Sequence, residues 1–313
     1  MEVGNVKWVS VVFLGVLAAA LSGCSAGKEA VGSGEEKVKV VTTIAQIGDM
    51  AAEIGGDHIE VESLMGPGDD PHLYNAVQGD IKKLDQADII FYNGLHLEGQ
   101  MGEIFEEMRQ KKPTVAVAEG IPEDQFLADP QNPRIIDPHV WFDISIWKQA
   151  AEKIRDELME IDPDNENVYK QNTVEYVKDL TELEDYARER IKEIPEESRV
   201  LVTAHDAFNY FGNAFGFEVI GLQGLSTESD YGLTDIQRII DVLVERNIKA
   251  VFVESSVSGR SINAVVEGAE EAGHQVRIGG ELYSDAMGEE GTVEGTYLGM
   301  YRHNIDTIVE SLK

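Results

Sequence analysis

The chain has 313 residues, enough for two compact domains. Of these, 42% are hydrophobic, which excludes a disordered chain. Its 58 acidic residues against 26 basic ones give a formal net charge of −32. Such a surface stays soluble and argues against nucleic acid or an anionic membrane as its partner.

In chain order, residues 1–23 read as a signal peptide that stands apart from the fold. Lys7 precedes an apolar run from Trp8 to Leu21 that is too short, and wrongly flanked, for a membrane-spanning helix. The run ends in Leu21-Ser22-Gly23-Cys24, which resembles the bacterial lipobox, where the cysteine is lipid-modified and becomes the new N-terminus. Cys24 is the sole cysteine, so no intramolecular disulfide is possible. Residues 24–37 are small, polar and glycine-rich, and read as a flexible tether. A lipid-anchored domain on the extracytoplasmic face of a bacterial cell membrane is the expectation.

From residue 38 onward, apolar β-branched runs alternate with amphipathic segments. Strands are expected at Val38–Thr43, Ile59–Met65, Ala87–Tyr92 and Thr114–Ala118, with helices at Gln46–Ile54, Gln78–Leu84 and Leu97–Met108. The alternation then breaks off. It resumes at Asp162-Pro163, a helix-start pair, after which Tyr169, Thr173, Tyr176, Leu180, Leu183, Ala187 and Ile191 recur at helical spacing until Pro195. A helix from Pro163 to Ile194 would be about 48 Å long, enough to cross a whole lobe. A second strand–helix series follows, with strands at Val200–Ala204, Glu218–Leu222, Ala250–Glu254 and Val276–Ile278. Its helices are expected at Ala207–Phe215, Thr234–Arg246, Ser261–Ala272 and Thr296–Leu312. The pattern predicts an α/β protein of two Rossmann-like (βα) lobes with parallel sheets, 38–162 and 196–313, joined by one long rigid connecting helix over 163–195. Neither lobe carries a Gly-x-Gly-x-x-Gly fingerprint or a P-loop, so nucleotide binding is not supported.

Ligands of open α/β sheets bind beyond the carboxyl ends of the strands. Two Asp-Pro-His triplets, 70–72 and 137–139, stand in loops of the first lobe. His205 ends a strand of the second, and Asp285 follows another. Three imidazoles and a carboxylate suit a divalent transition metal. Pro71 and Pro138 have fixed φ and stiffen the presenting loops. Each residue alone has a plainer reading: Asp-Pro as a turn, His205 as a helix start capped by Asp206, and Asp285 as a solvated loop acid. Ligand imidazoles need a partner for their other nitrogen. Asp70, Asp137 and Asp206 are candidates by proximity in sequence, and Glu254 by its strand end, although Glu254 could instead pair with Arg260. His58, His274 and His303 read as structural, while His96 lies close enough to a strand end to be considered.

The lipobox, both Asp-Pro-His triplets, Thr203-Ala204-His205-Asp206-Ala207-Phe208 and the Ser284-Asp285 loop together resemble the metal-binding lipoproteins of bacterial ABC importers for manganese, zinc or iron. Gly66–Tyr74, Gly221–Thr227 and Val253-Glu254-Ser255-Ser256 look most like the manganese-binding members. The resemblance implies a single metal site between the lobes, with His72, His139, His205 and Asp285 as its ligands. It also implies a membrane permease with a cytoplasmic ATPase as partners, and a monomeric carrier rather than an enzyme. Several manganese-binding members have glutamate at the third position, where this chain has His205. Three imidazoles favour zinc, but residues 73–138 hold one histidine and lack the His-rich acidic loop common in zinc carriers. Manganese is the expected cargo, zinc the alternative and iron the third. A secreted zinc hydrolase with Glu254 as general base is the rival from another class.

Overall fold

The computed structural model describes residues 37–129, 132–229 and 231–313. The expected signal peptide, Cys24 and all of the tether except Lys37 lie outside the described residues. In the first half, β1 (Val38–Thr42), β2 (Ile59–Ser63), β3 (Ile89–Tyr92) and β4 (Thr114–Ala116) pair in parallel, in the order β2-β1-β3-β4. Helices α1 (Ala45–Gly55), α2 (Gln78–Gln86) and α3 (Gly102–Arg109) connect them. Every residue of β3 is buried, which is why it reads as an unbroken apolar run rather than an alternating one. In the second half, β5 (Val200–His205) pairs in parallel with β6 (Glu218–Gln223), and β7 (Ala250–Glu254) with β8 (Arg277–Leu282). β5 also runs beside β7. α6 (Asn209–Phe215), α7 (Leu233–Glu245), α8 (Arg260–Glu271) and α9 (Tyr297–Leu312) complete this half. Among the described residues, no helix is long and apolar enough to cross a membrane.

The stretch after Ala118 that shows no strand–helix alternation holds α4 (Ile144–Ile161), an 18-residue helix. Its signals are local. The Asp143 carboxylate accepts from the Ser145 and Ile146 amides as an N-cap, and Ile144, Trp147, Ala151, Ile154 and Leu158 are buried at helical spacing. The connecting helix α5 (Glu166–Ile191) is shorter than the expected segment, because Pro163–Asn165 is a separate 3-10 turn and the helix ends before Lys192. α3 is shorter too. Leu95 and His96 both adopt positive φ, which no helix tolerates, and a 3-10 turn fills Gly99–Met101. β8 reaches Leu282, four residues beyond the expected strand, and so delivers the chain to Ser284 and Asp285.

The seven apolar-face positions of α5 are all buried. They pack against α1, α4 and α9, so the helix belongs to the core of both halves rather than spanning solvent. Burial of Leu180, Leu183 and Ile191 contributes about 2 kcal/mol each. The larger of two apolar cores runs from the β1–β4 sheet through α4 and α5 to Phe208, Phe211, Tyr297 and Tyr301. A smaller one lies between β5, β6 and β7 and helices α7 and α8.

One polar group at the edge of the larger core has a consequence for stability. The Asp49 carboxylate of α1 accepts from the Tyr297 amide at 2.9 Å. Burial, opposed by that amide and helped by Glu53, pushes its pKa up to about 6. A carboxyl raised on folding stabilises the fold while neutral, fully below about pH 4, and that contribution is lost as pH rises through about 6. Asp49→Asn keeps an acceptor for Tyr297 without the buried charge. It is expected to raise the melting temperature at pH 7.5, and the gain should vanish at pH 4 in the same thermal scan.

Candidate metal centre

Four segments converge on one point, three of them following strands and one leading into α4. His72 lies in the turn after β2, where the Asp70 carboxylate accepts from the His72 amide at 3.0 Å. His139 precedes a 3-10 turn over Val140–Phe142. His205 is the last residue of β5, and Asp285 follows β8. All four side chains are buried, and their ligand atoms lie within 4.8 Å of one another. Nε2 of His72 is 3.3 Å from Nε2 of His139 and 3.9 Å from Asp285 Oδ2. Asp285 Oδ1 is 3.4 Å from His139 Nε2, and its Oδ2 is 3.2 Å from His205 Nε2. A tetrahedron around an ion with bonds of about 2.1 Å has edges of about 3.4 Å, so these separations fit a single ion.

The loops are braced reciprocally by the two halves. On α9, Tyr297 and Tyr301 donate their hydroxyls to the carbonyls of Trp141 and Phe142, at 2.6 and 2.7 Å, and so fix the turn that follows His139. In return, Trp141 Nε1 and Gln46 Nε2 both donate to the Ser284 carbonyl, beside Asp285, at 3.2 and 3.3 Å. Thr227 donates to Asp70 Oδ2 at 2.6 Å, and Asn209 to Asp137 Oδ2 at 3.0 Å, each linking one half to the other.

Of the four carboxylates expected behind the imidazoles, two take that place. Asp137 Oδ1 lies 2.7 Å from His139 Nδ1 and also accepts from the His139 amide. Glu254 accepts from the His205 amide through Oε1 and sets Oε2 2.6 Å from His205 Nδ1. The latter contact is short but off the N–H direction, so it acts as a charge pair more than as a straight hydrogen bond. Asp70 and Asp206 are corrected. Asp70 spends its oxygens on the His72 amide and Thr227, and Asp206 accepts from the Gly221 amide at 2.6 Å. Both shape loops; each acts on the charge of His205 from a distance, and neither hydrogen-bonds an imidazole ring. The alternative pairing of Glu254 with Arg260 does not form.

Gln46, Asn209 and Thr227 are roles the sequence did not disclose. Each reaches its partner across 72 or more positions, and nothing local marks it. Of the remaining histidines, His96 is exposed and outside the cluster. His274 Nε2 sits 2.6 Å from the Ile248 carbonyl, and His303 Nε2 3.0 Å from that of Glu281. His58 lies edge-on to Tyr169.

The electrostatics call for a cation. Burial would raise the Asp285 carboxyl, but the imidazoles, His205 foremost, outweigh it and hold the pKa well below the usual carboxylate range. Burial pushes His72 down to about 3, against the pull of Asp285, so it stands as a neutral ligand. Burial also works against charge on His205, yet Glu254 and Asp285 hold its pKa well above the ordinary value. The field at His205 thus favours a positive charge, which a proton or a metal ion can supply. Among the described residues, eight buried side-chain polar atoms lack a hydrogen-bond partner; two of them, His205 Nε2 and Asp285 Oδ1, lie in this cluster, while His205 Nδ1 and Glu254 Oε2, also among the eight, face each other as the charge pair behind the ring. Unsatisfied buried polar atoms are rare in folded proteins, so their concentration at one point marks a ligand's place.

A buried site of three imidazoles and one carboxylate, drawn from both halves of a two-lobe α/β fold, defines a divalent-metal-binding protein. Residues 40–311 match the family model described as ZnuA, zinc-uptake complex component A, periplasmic, and the chain belongs to that family. It is 55% identical over 297 residues to a manganese-binding lipoprotein MntA of Bacillus subtilis, covering 94% of this chain and 95% of that one. It is 46% identical over 276 residues to the zinc-binding protein TroA of Treponema pallidum, covering 88% and 89%. A solved structure of the periplasmic zinc-binding protein TroA superposes with a TM-score of 0.86 at 45% identity, over 88% of this chain and 99% of that chain.

Proposed function

We propose that the chain is the extracytoplasmic solute-binding lipoprotein of an ABC importer, which captures one divalent metal ion and delivers it to a membrane permease driven by a cytoplasmic ATPase. The observation that carries this reading is the convergence of His72, His139, His205 and Asp285 within 4.8 Å, buried. In it, residues 1–23 are the signal peptide, Cys24 is the lipid attachment point, and 24–37 tether the carrier to the membrane. The lobes are 38–162 and 196–313, joined by 163–195, and the carrier works as a monomer.

Manganese is the favoured cargo, zinc the alternative and iron the third. Zinc outranks manganese at any nitrogen–oxygen site of fixed geometry, so selection of manganese must come from coordination number or supply. Both oxygens of Asp285 face imidazole nitrogens, which supports a bidentate grip and the higher coordination that manganese accepts. The resemblance to the Bacillus subtilis manganese-binding lipoprotein supports the same choice.

We read the chain as a carrier and not as a secreted zinc hydrolase. Four protein ligands leave a tetrahedral ion no open position for an attacking water. Glu254, the one candidate base, is turned to His205. The test is a competitive titration of the metal-free protein, residues 25–313, with Mn²⁺ and Zn²⁺, followed by metal analysis. One tightly bound, exchangeable manganese ion per chain is expected. Irreversible zinc with weak manganese binding would make it a zinc carrier, and stoichiometric binding of neither would end the reading.

A further inference from the structure

The loop that carries Asp285 is a folded unit with few ties to the first half. Within it, the Gly288 amide donates to the Glu294 carbonyl, Thr292 to Glu289, and Thr296 to Val293. Gly291 has φ +80°, and a Cβ on Gly295 would meet the Glu289 carbonyl oxygen at 2.2 Å, so the turns are tight and leave no room for a side chain there. Ser255, at the end of β7, donates to the Ala286 carbonyl at 2.8 Å and keeps the loop on its own half. Among the described residues, three hydrogen bonds reach the backbone of 284–297 from the first half: from Gln46 and Trp141 to the Ser284 carbonyl, and from the Tyr297 amide to Asp49 Oδ2. Gln46 and Asp49 are three residues apart on α1 and therefore share a face of that helix. One holds the start of the loop and the other its end. Between α1, β2 and the loop lies a cavity of about 460 Å³ lined by Asp49, Met65, Met287 and Glu290, so on that side the loop packs through Met287, which is buried in the larger core, and leaves space around it.

We propose that Gln46 and Asp49 are positioning residues that form a two-point clamp on the Asp285 loop, and that the strength of this clamp sets how fast the bound metal leaves. The proposal rests on the metal-carrier reading. The ion cannot leave while Asp285 stays against three imidazoles, and swinging the loop away breaks the clamp bonds first. Breaking them ahead of time therefore speeds release. Capture, which starts from the open loop, is left nearly unchanged.

The test follows the full chain loaded with Mn²⁺ and mixed with excess chelator, with association measured separately. Gln46→Met keeps the buried volume and removes the donor, whereas Asp49→Ala removes the acceptor. Loss of the neutral Gln46 bond is worth about a 5- to 10-fold change in equilibrium, and loss of the Asp49 carboxylate, a charged acceptor, at least as much, so Gln46→Met is expected to release Mn²⁺ about 5- to 10-fold faster and Asp49→Ala at least that much faster, with association within about twofold of the parent. Asp49→Asn, which keeps an acceptor for the Tyr297 amide, is expected to restore release to within about twofold. A merely structural residue would not separate the two rates in this way. Release at the parent rate in both Gln46→Met and Asp49→Ala, with one Mn²⁺ still bound per chain, would overturn the clamp and leave the carrier reading intact. A parent chain that binds neither Mn²⁺ nor Zn²⁺ stoichiometrically would overturn the carrier reading, and the clamp with it. Should Asp49→Ala fail to fold, Gln46→Met decides alone, since methionine fills the glutamine's space.

Discussion

Replacing Asp285 by Ala is expected to weaken metal binding about a thousandfold, while the protein stays folded. Asp285 is the one carboxylate among the four converging ligands, and each of its oxygens lies within 3.4 Å of an imidazole nitrogen. In the proposed site it would supply the only anionic bond to the ion, in a buried pocket where a charge pair is poorly screened. Removing one partner of such a buried pair costs about 3–5 kcal/mol, which is a factor of about a thousand in affinity. The fold should survive, because the loop keeps its bonds from Gln46, Trp141 and Ser255 to backbone atoms that alanine leaves in place. Calorimetry with a competing chelator gives the affinity, and circular dichroism checks the fold. His274→Ala and His303→Ala serve as controls, since both rings face backbone carbonyls away from the cluster. An Asp285→Ala protein that binds as tightly as the parent, or a large loss in either control, would mean the ion sits elsewhere.

That these four residues could be read from the chain at all follows from how α/β sheets present ligands. His72, His205 and Asp285 each stand just past an apolar run, and Pro138 marks the loop of His139. Strand ends are local features, so the residues that converge are legible. The face of α5 was legible for the same reason: a 3.6-residue rhythm is written in adjacent positions. α4 carries a similar rhythm after the Asp143 cap, but no strand leads into it, so strand–helix alternation does not mark it. The carboxylates behind the imidazoles divide more instructively. Asp137 is two residues from its histidine and reaches the ring by a local turn. Asp70 has the same spacing yet caps only the backbone, because Thr227 draws its other oxygen toward the second half. Spacing offers both outcomes, and the tertiary partner chooses between them.

The two carboxylates that do stand behind imidazoles are expected to respond unequally to loss of charge, and the reason lies in their other bonds. In both pairs the carboxylate favours a proton on Nδ1, which frees Nε2 to bind the ion. At Asp137, Oδ1 serves both the His139 amide and Nδ1, while Oδ2 accepts from Asn209. An asparagine there can put its carbonyl in the Oδ1 place and its amino group toward Asn209, whose own amide can turn to accept only by giving up the bond it donates to the Asp206 carbonyl, a cost that falls on Asn209 and not on the imidazole. The tautomer of His139 is kept. At Glu254 the work is split: Oε1 accepts from the His205 amide and Oε2 faces Nδ1. A glutamine must keep its carbonyl on the amide, since that N–H can only donate, and so turns its amino group to Nδ1. Nδ1 then has to accept, the ring proton moves to Nε2, and the atom that should hold the metal is blocked. Glu254→Gln is therefore expected to lose about 100-fold in metal affinity, and Asp137→Asn no more than about tenfold, the two ends of the range for groups that orient metal ligands. Nitrogen-15 shifts of the imidazoles in the metal-free proteins, taken above the raised pKa of His205 so that its ring is neutral, read the tautomer directly. If Glu254→Gln leaves the His205 proton on Nδ1, or if the two variants lose affinity equally, the split in bonding does not govern the site. In that case carboxylate charge alone, the same at both positions, is what the imidazoles require.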